Sequence, residues 1–580
     1  MAEHFSPILV LLLPFYALHE SPATLLVVQS VVVAGGAYLL FRLAEDAFGD
    51  GWLALAICAS YLLAPDTFQS QWHDFHMDLL VPPMIFGAVW ALRRGRTAWF
   101  LLCVALLWAT KEDAFIYTSF LAAYAWAAHG RRRLCIAVLV ASVVLGAVVL
   151  ALVLPAYRTL QESGPFFTKY AGEGYKFAFR YNHLGKGFGN VILNIVSDPV
   201  YVLGYVTGDV RMTSVLTLLA PLGFAALLGG LRPALLFVPT FVMLLGSDDN
   251  MERLAFYYGA IPLAFAYASG TLGLAALGRR LEERFAGVPR FPARWRLAAT
   301  AYVAASALWL VWANPESPLS PVRDRPAYLR TDRTALLDEV VDSIPPEVPV
   351  SATGYVGIHL TDRPRPRMLP WGLPEAQYVV VDLYRPPWPQ EMPGLAQMVE
   401  GLARSGEWGV VRAEQGVVVF RRGAQRDLNE RAIDMMYLPV LEPEEWETSD
   451  FPNLAVRGGS ASAGAALVVT PRDLRGPGFL FFGPYLPLPE GRYRVHFRLA
   501  AAPEFGRPDD AVVATIDVFR AEQTVASRDL AFPDFGGGYL WKTFTLDFER
   551  DDWGPWEFRV FYHDVGTLAA DRIWLERLDQ

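Results

Sequence analysis

Cysteine is nearly absent from this 580-residue chain. Its three copies, Cys58, Cys103 and Cys135, all lie in apolar runs of the first half. The second half has none, so it has no disulfide framework on whichever side of a membrane it sits. Charge is scarce as well: 19% of residues are Asp, Glu, Lys or Arg, against about 25% in a soluble domain. Together with 53% hydrophobic residues and a mean hydropathy of +0.27, that shortfall signals a membrane protein. Residues 1–313 carry 22 Lys+Arg against 19 Asp+Glu, and residues 314–580 carry 28 against 40, so +3 and −12 make up the overall −9. No basic stripe is left to neutralise phosphates, which excludes a nucleic-acid binder. The start, MAEHFSPILV, lacks the basic stretch of a cleavable signal peptide. No repeat of the solenoid kind is visible.

What the first half does contain is apolar runs, at about 22–44, 51–65, 79–92, 97–110, 114–128, 134–155, 212–230, 233–246, 255–277 and 297–313. The expectation is about ten transmembrane helices, several of them extended by flanking residues to reach the roughly 20 that a crossing needs. The stretch 7–18, interrupted by Pro14, is too short to span and reads as interfacial or re-entrant. Alternate loops carry Arg42, then Arg93, Arg94 and Arg96, then Arg131, Arg132 and Arg133, then Arg232. The last such loop holds Arg279, Arg280, Arg284, Arg290, Arg294 and Arg296. Arginines gathered on one face mark it as cytoplasmic, which sends the other loops and residues 314–580 outward.

The outer loops hold the chemistry. Loop 66–78, DTFQSQWHDFHMD, puts His73 and His76 three residues apart with Asp74 and Asp78 beside them. Two imidazoles and a carboxylate suit a divalent metal, but the spacing is not a strong zinc signature, and Trp72, His73 and Phe75 fit better as an aromatic belt at the interface. In WATKEDAFIY, Lys111, Glu112 and Asp113 meet at the junction of two apolar runs. A lysine there is placed to grip a lipid phosphate and a carboxylate to do acid/base work; the plainer reading is a self-neutralised turn. The long loop 156–211 interleaves aromatic and basic residues in FFTKYAGEGYKFAFRYNHLGKGFGNV. Its GKGFGN has the wrong spacing for a P-loop. The segment SDDNMERLAFYYGAIP groups Asp248, Asp249, Glu252, Arg253 and Tyr257 ahead of Pro262.

HFSP (His4 to Pro7), WHDFHMD (Trp72 to Asp78), TKED (Thr110 to Asp113) and SATGYVGIHLTDRPR (Ser351 to Arg365), in that order, resemble a known family. It is a family of predicted bacterial membrane proteins catalogued as domain of unknown function twenty seventy-nine, matched over about residues 3–425. That family in turn resembles the GT-C superfamily of lipid-phosphate-sugar glycosyltransferases. The resemblance implies an outward cavity where a polyprenyl-phosphate-linked sugar meets an acceptor. It also implies Lys111 near the donor phosphate, and Arg253 with Tyr257 and Pro262 as an RY…P element. Relatives begin with a further helix and an acidic outer loop, usually the source of the catalytic base. Here Glu3 alone precedes His4, so either the start is mis-assigned or that base is lacking. The candidates are therefore Glu3, His4, Asp74, Glu112 and Asp113 for catalysis, and Lys111, Arg253, Tyr257, His73 and His76 for substrate. His73, His76 and Asp78 are the candidates for a divalent metal ion, and no other cofactor is expected.

In the second half, TALLDEVVDSI and LAQMVEGLARSG are helical in pattern, while VPVSATG, YVVVDLY, WGVVRAE and GVVVFRR read as strands, the last two as a hairpin. No G-x-G-x-x-G follows a strand. From about 440 the pattern turns to two-residue alternation. Tyr493, Val495, Phe497 and Leu499 share one face, and Arg494, His496 and Arg498 the other. In a sandwich that looks like carbohydrate-binding modules, Tyr539, Trp541, Trp553 and Trp556 are candidate exposed aromatics for sugar stacking, although for any one of them a core or hinge role is the favoured reading. The fold expected is a multi-pass α-helical membrane domain (1–313, GT-C-like), a small extracytoplasmic α/β domain (314–430) and an all-β, jelly-roll-like sandwich (431–580). The leading function is a glycosyltransferase of the bacterial inner membrane, using a polyprenyl-phosphate-linked sugar at the outer leaflet to modify an envelope glycan or lipid. The alternative is a non-catalytic envelope protein, either a transporter-like bundle or a glycan-binding scaffold. The visible symmetry of a transporter's inverted repeats is missing.

Overall fold

The computed structural model describes residues 4–158, 176–313, 332–361, 363, 366–383, 392–437, 440–441, 456–457, 466–471, 476–488, 490–503, 510–520, 523–536, 540–550 and 555–578. Contacts divide the chain into two compact units, Met1–Arg323 and Asp324–Gln580.

The first unit is helical. Its principal helices are α1 (Pro22–Phe48), α2 (Gly51–Leu63), α3 (Pro65–His73), α4 (Val81–Arg93), α5 (Thr97–Trp108), α6 (Ala114–His129), α7 (Arg132–Val148), α8 (Leu231–Leu244), α9 (Ala260–Arg284) and α10 (Phe291–Ala313). Local chemistry sets their ends. The Ser21 hydroxyl accepts from the Ala23 N–H ahead of α1, Gly49 ends that helix in the left-handed region, and Asp50 accepts from the N–H groups of Trp52 and Leu53 to start α2. Pro65 opens α3 at a 43° bend from α2.

Among the described residues, four helices are long and apolar enough to cross a membrane: Pro22–Phe48, Arg132–Ala156, Asn250–Arg284 and Phe291–Ala313. The bent α2–α3 pair makes a fifth if it is one span. The ten apolar runs thus become helices of unequal length. Pro65 bends one run, and the left-handed Gly223 and Phe224 stop another before a short helix Ala225–Leu228. Pro14 does not interrupt its segment: it lies in the first turn of helix Leu13–Leu18, where its missing N–H costs nothing.

The core centres on α9, which is buried from Ala260 to Gly273. Neighbouring backbone comes very close to it: a Cβ on Gly273 would fall 1.9 Å from the Ala225 carbonyl oxygen. The spans at Arg132–Ala156 and Phe291–Ala313 are mostly exposed instead, presenting Val140, Val143, Leu308 and Trp309. Apolar faces of that extent fit lipid rather than water.

The second unit holds a five-stranded sheet. Strands β1 (Val350–Ala352), β2 (Pro366–Met368) and β3 (Tyr378–Asp382) are parallel, in the order β2-β1-β3. The hairpin of β4 (Trp408–Glu414) and β5 (Val417–Arg422) adds to β3 antiparallel, through β5. Separate apolar clusters lie around Val379, Leu395 and Phe420 and around Val340, Val380 and Val419, so side chains of alternating direction feed both faces. Beyond it, two antiparallel sheets share one core that includes Val495, Phe497, Ile516, Phe558 and Tyr562. Strand Gly491–Ala502 lies between Lys542–Arg550 and Thr567–Arg577. Tyr493, Val495, Phe497 and Leu499 point into the core, as their alternation requires. Trp556 takes the core role. It is 1% exposed and packs against Phe548 in the core, so it offers no sugar platform. Trp541 is half-buried beneath the Arg498 guanidinium, while Tyr539 and Trp553 lie outside the described residues.

Candidate functional site

Five loop segments meet at one end of the helical unit. The turn Met77–Leu80 between α3 and α4 buries Asp78. The turn between α5 and α6 carries Lys111, Glu112 and Asp113. Lys111 Nζ donates to both Asp78 oxygens, at 3.2 and 3.4 Å, and His76 Nδ1 lies 3.2 Å from Asp78 Oδ2. The chain start docks on the same turn. The Ile8 N–H donates to the Ala109 carbonyl at 2.8 Å, which brings His4 Nδ1 to 2.8 Å from Glu112 Oε1 and the Phe5 N–H to 3.0 Å from Glu112 Oε2. Glu112 has a side chain only 1% exposed, so both oxygens are committed to these donors. Asp113 Oδ2 accepts from the Tyr117 hydroxyl at 2.6 Å, and Oδ1 is buried with no hydrogen-bond partner among the described residues.

The other side of the site comes from the turn Phe256–Gly259 ahead of α9. Tyr257 stacks on His76, with rings 6° from parallel and centroids 3.3 Å apart, and its ring lies 5.8 Å from Lys111 Nζ. Leu254 and Phe256 both have positive φ, 52° and 55°. Two left-handed non-glycine residues so close together are strained, and surrounding packing must hold them. The segment Lys176–Leu184 adds Arg180, which donates to the Tyr258 hydroxyl at 2.7 Å and pairs with Asp248 at 3.2 Å. Next to Lys111 and Glu112 is a small cleft whose walls include Phe5, Trp108, Phe115 and Gly146.

Burial and charge work against each other here. Burial raises the Asp78 carboxyl, but the Lys111 ammonium and His76 more than offset it and hold it below the usual carboxylate range. Burial lowers Lys111, and Asp78, Asp113 and Glu112 reverse that, leaving it above its ordinary value. Asp113 is different. Burial pushes it up to about 6; Lys111 opposes the rise, Asp78 and Glu112 add to it, and the Tyr117 bond opposes it. The site therefore holds a locked ion pair beside a carboxyl poised near neutrality.

Residues 1–419 match the family described as predicted membrane protein, DUF2079. The chain belongs to this family. No curated protein matches it. Among solved structures it is similar to ArnT from Cupriavidus metallidurans bound to undecaprenyl phosphate, at 13% identity over 73% of this chain and 90% of that one, with a TM-score of 0.41. It is also similar to the arabinofuranosyltransferase AftD from Mycobacteria, at 11% identity and a TM-score of 0.34, covering 96% of this chain and 55% of that one. The C-terminal CBM6 of LamC, a marine laminarinase from Zobellia galactanivorans, matches 24% of this chain and 99% of its own length, at 18% identity and a TM-score of 0.17.

Three of the four motifs singled out in the sequence meet in space: HFSP touches TKED through His4 and Glu112, and TKED touches WHDFHMD through Lys111 and Asp78. The fourth, SATGYVGIHLTDRPR, starts on β1 of the second unit. Tyr257 and His76 join the cluster. Arg253 is exposed, and the arginine held beside Tyr257 and Tyr258 is Arg180. Asp74 also turns outward; its contribution is the backbone carbonyl, which accepts from Gln29 Nε2 at 3.2 Å. Glu3 and the His73 side chain lie outside the described residues. Among the described residues no group of three or more His, Cys, Asp or Glu is arranged to hold a metal ion, and Asp78 is engaged by Lys111 instead. Sequence reasoning missed Gln29, Arg180 and Tyr258. Gln29 carried a signal: it is a lone amide within a 27-residue apolar helix, and it accepts from the His76 N–H at 2.8 Å.

Proposed function

We propose that this chain is a membrane glycosyltransferase that takes a sugar from a polyprenyl-phosphate carrier and passes it to a hydroxyl of an envelope glycan or lipid. The observation that carries the reading is that Asp78 of one motif meets Lys111, Glu112 and Asp113 of another, with Lys111 and Glu112 lining a small cleft with apolar walls. Apolar side chains beside a charged rim suit the junction between an isoprenoid chain lying in the lipid and its phosphate. In this reading the sugar C1–O bond to the phosphate breaks and a C1–O bond to the acceptor forms. The leaving phosphate keeps the electron pair and is stabilised by the Lys111 ammonium, with Arg180 as a second cation. Asp113 takes the acceptor proton through its unbonded oxygen, and its raised carboxyl suits that task. Glu112, with both oxygens occupied, holds the chain start and His4 in place. The fourteen arginines of the alternate loops support an inner-membrane orientation with this site and residues 314–580 outside.

The test is direct. Purified protein in proteoliposomes is given polyprenyl-phosphate-linked sugars, and donor consumption and polyprenyl phosphate release are followed by mass spectrometry. Turnover that Asp113→Asn abolishes supports the reading. No turnover and no binding of polyprenyl phosphate would sink it and leave the non-catalytic envelope protein in its place.

A further inference from the structure

A pair of helices near the site presents a broad apolar face outward and is too short to cross a membrane. Helices Phe188–Ser197 and Pro199–Val206 have 10 and 8 residues, so they extend about 15 and 12 Å against a hydrocarbon core of about 30 Å. On one side Val191, Ile195 and Val202 pack against Leu184, Val206 and Leu245. On the other, Ile192, Leu193, Val196, Val200 and Leu203 face outward, with Val196 73% and Val200 82% exposed. From Gly189 to Thr207 the one ionisable side chain besides the tyrosines is Asp198, and its carboxylate is used to accept from the Tyr201 N–H at 3.0 Å. An amphipathic surface helix would put charge on that outward face. This pair has only Asp198, exposed at the junction of its two helices, and its inner side rests on Leu245, at the end of the apolar helix α8, so the unit's lipid-fitting exterior continues onto it.

We propose that residues 188–206 are embedded in the headgroup–acyl boundary of the leaflet nearest the site, with lipid acyl chains covering the Val196–Val200–Leu203 face. The pair is also tied to the segment that carries Arg180. Asn194 Nδ2 donates to the Leu184 carbonyl at 2.7 Å, and the Ser247 N–H donates to the Arg180 carbonyl at 2.8 Å. The depth of the pair therefore fixes the level of Arg180 relative to the lipid headgroups. This inference does not depend on glycosyl transfer.

The test uses full-length protein in proteoliposomes of phosphatidylethanolamine and phosphatidylglycerol. A photoreactive benzophenone amino acid replaces Val196 or Val200, with Lys186, an exposed residue before the pair, as the control. Expected is a crosslinked product heavier by one phospholipid at 196 and 200 and its loss at 186. Spin labels at the same positions should relax with oxygen and not with a water-soluble nickel chelate at 196 and 200. Crosslinks to a second copy or another protein, or nickel-chelate relaxation at 200 equal to that at 186, overturn the proposal.

Discussion

Replacing Lys111 separates a structural from a binding role for the site's central cation. Its ammonium sits 3.2 Å from a carboxylate whose side chain is 3% exposed. At an effective dielectric of about 20, that separation corresponds to roughly 5 kcal/mol of attraction, much of it offset by desolvation of both groups. Lys111→Met leaves Asp78 buried with His76 as its remaining close partner, and breaking a buried pair in this way costs about 3–5 kcal/mol. Lower thermal stability in detergent is therefore expected, whatever Lys111 does for a ligand. The double variant Lys111→Met/Asp78→Asn removes both charges and should recover most of that stability. The two roles differ in binding. If Lys111 donates to a lipid phosphate, the stable double variant still binds polyprenyl phosphate more weakly by roughly 1.5–3 kcal/mol, a loss of about 10- to 150-fold. Native mass spectrometry of protein titrated with a polyprenyl phosphate reads this directly. A double variant as stable as the parent that binds within error of it refutes the phosphate role and leaves Lys111 as the counter-ion of Asp78.

Asp113 gives a pH signature. If its ionised form takes the acceptor proton, transfer should fall as pH drops through about 6, and a rate flat from about pH 5 to 8 would remove Asp113 from that role. Gly273→Ala should destabilise the helical unit by at least about 1–3 kcal/mol, because the new methyl meets backbone rather than a flexible side chain; an unchanged melting temperature would contradict the close approach of α9. Residues 440–580 contain a core with no residue from the preceding α/β sheet, so that fragment should express as a soluble unit with one cooperative unfolding transition. An unfolded or insoluble fragment would show that it depends on the rest of the chain.

Composition and periodicity were enough to tell an apolar helical half from a second half with two strand patterns. Those signals are local. A helix in lipid must be apolar along its length, and a half-buried strand must alternate, so each pattern is written where it acts. The alternation of Tyr493, Val495, Phe497 and Leu499 specified their burial for that reason. The short motifs were likewise visible as charges in apolar surroundings: Lys111, Glu112, Asp113 and Asp78. Pairing was not. Whether Asp78 meets Lys111 or a metal depends on a segment 33 residues away, and whether Glu112 stands ready as a base or is bound by His4 and the Phe5 N–H depends on segments 108 and 107 residues away. Arg180 and Arg253 look alike in sequence, both next to aromatic segments. Only the fold turns one toward Tyr258 and leaves the other exposed. Trp556 shows the same limit, since an aromatic on a strand reads the same whether it faces solvent or core. Sequence sets which groups are costly to bury. Tertiary structure decides which of them are buried together, because a charge is tolerated inside only where distant chain supplies its partner.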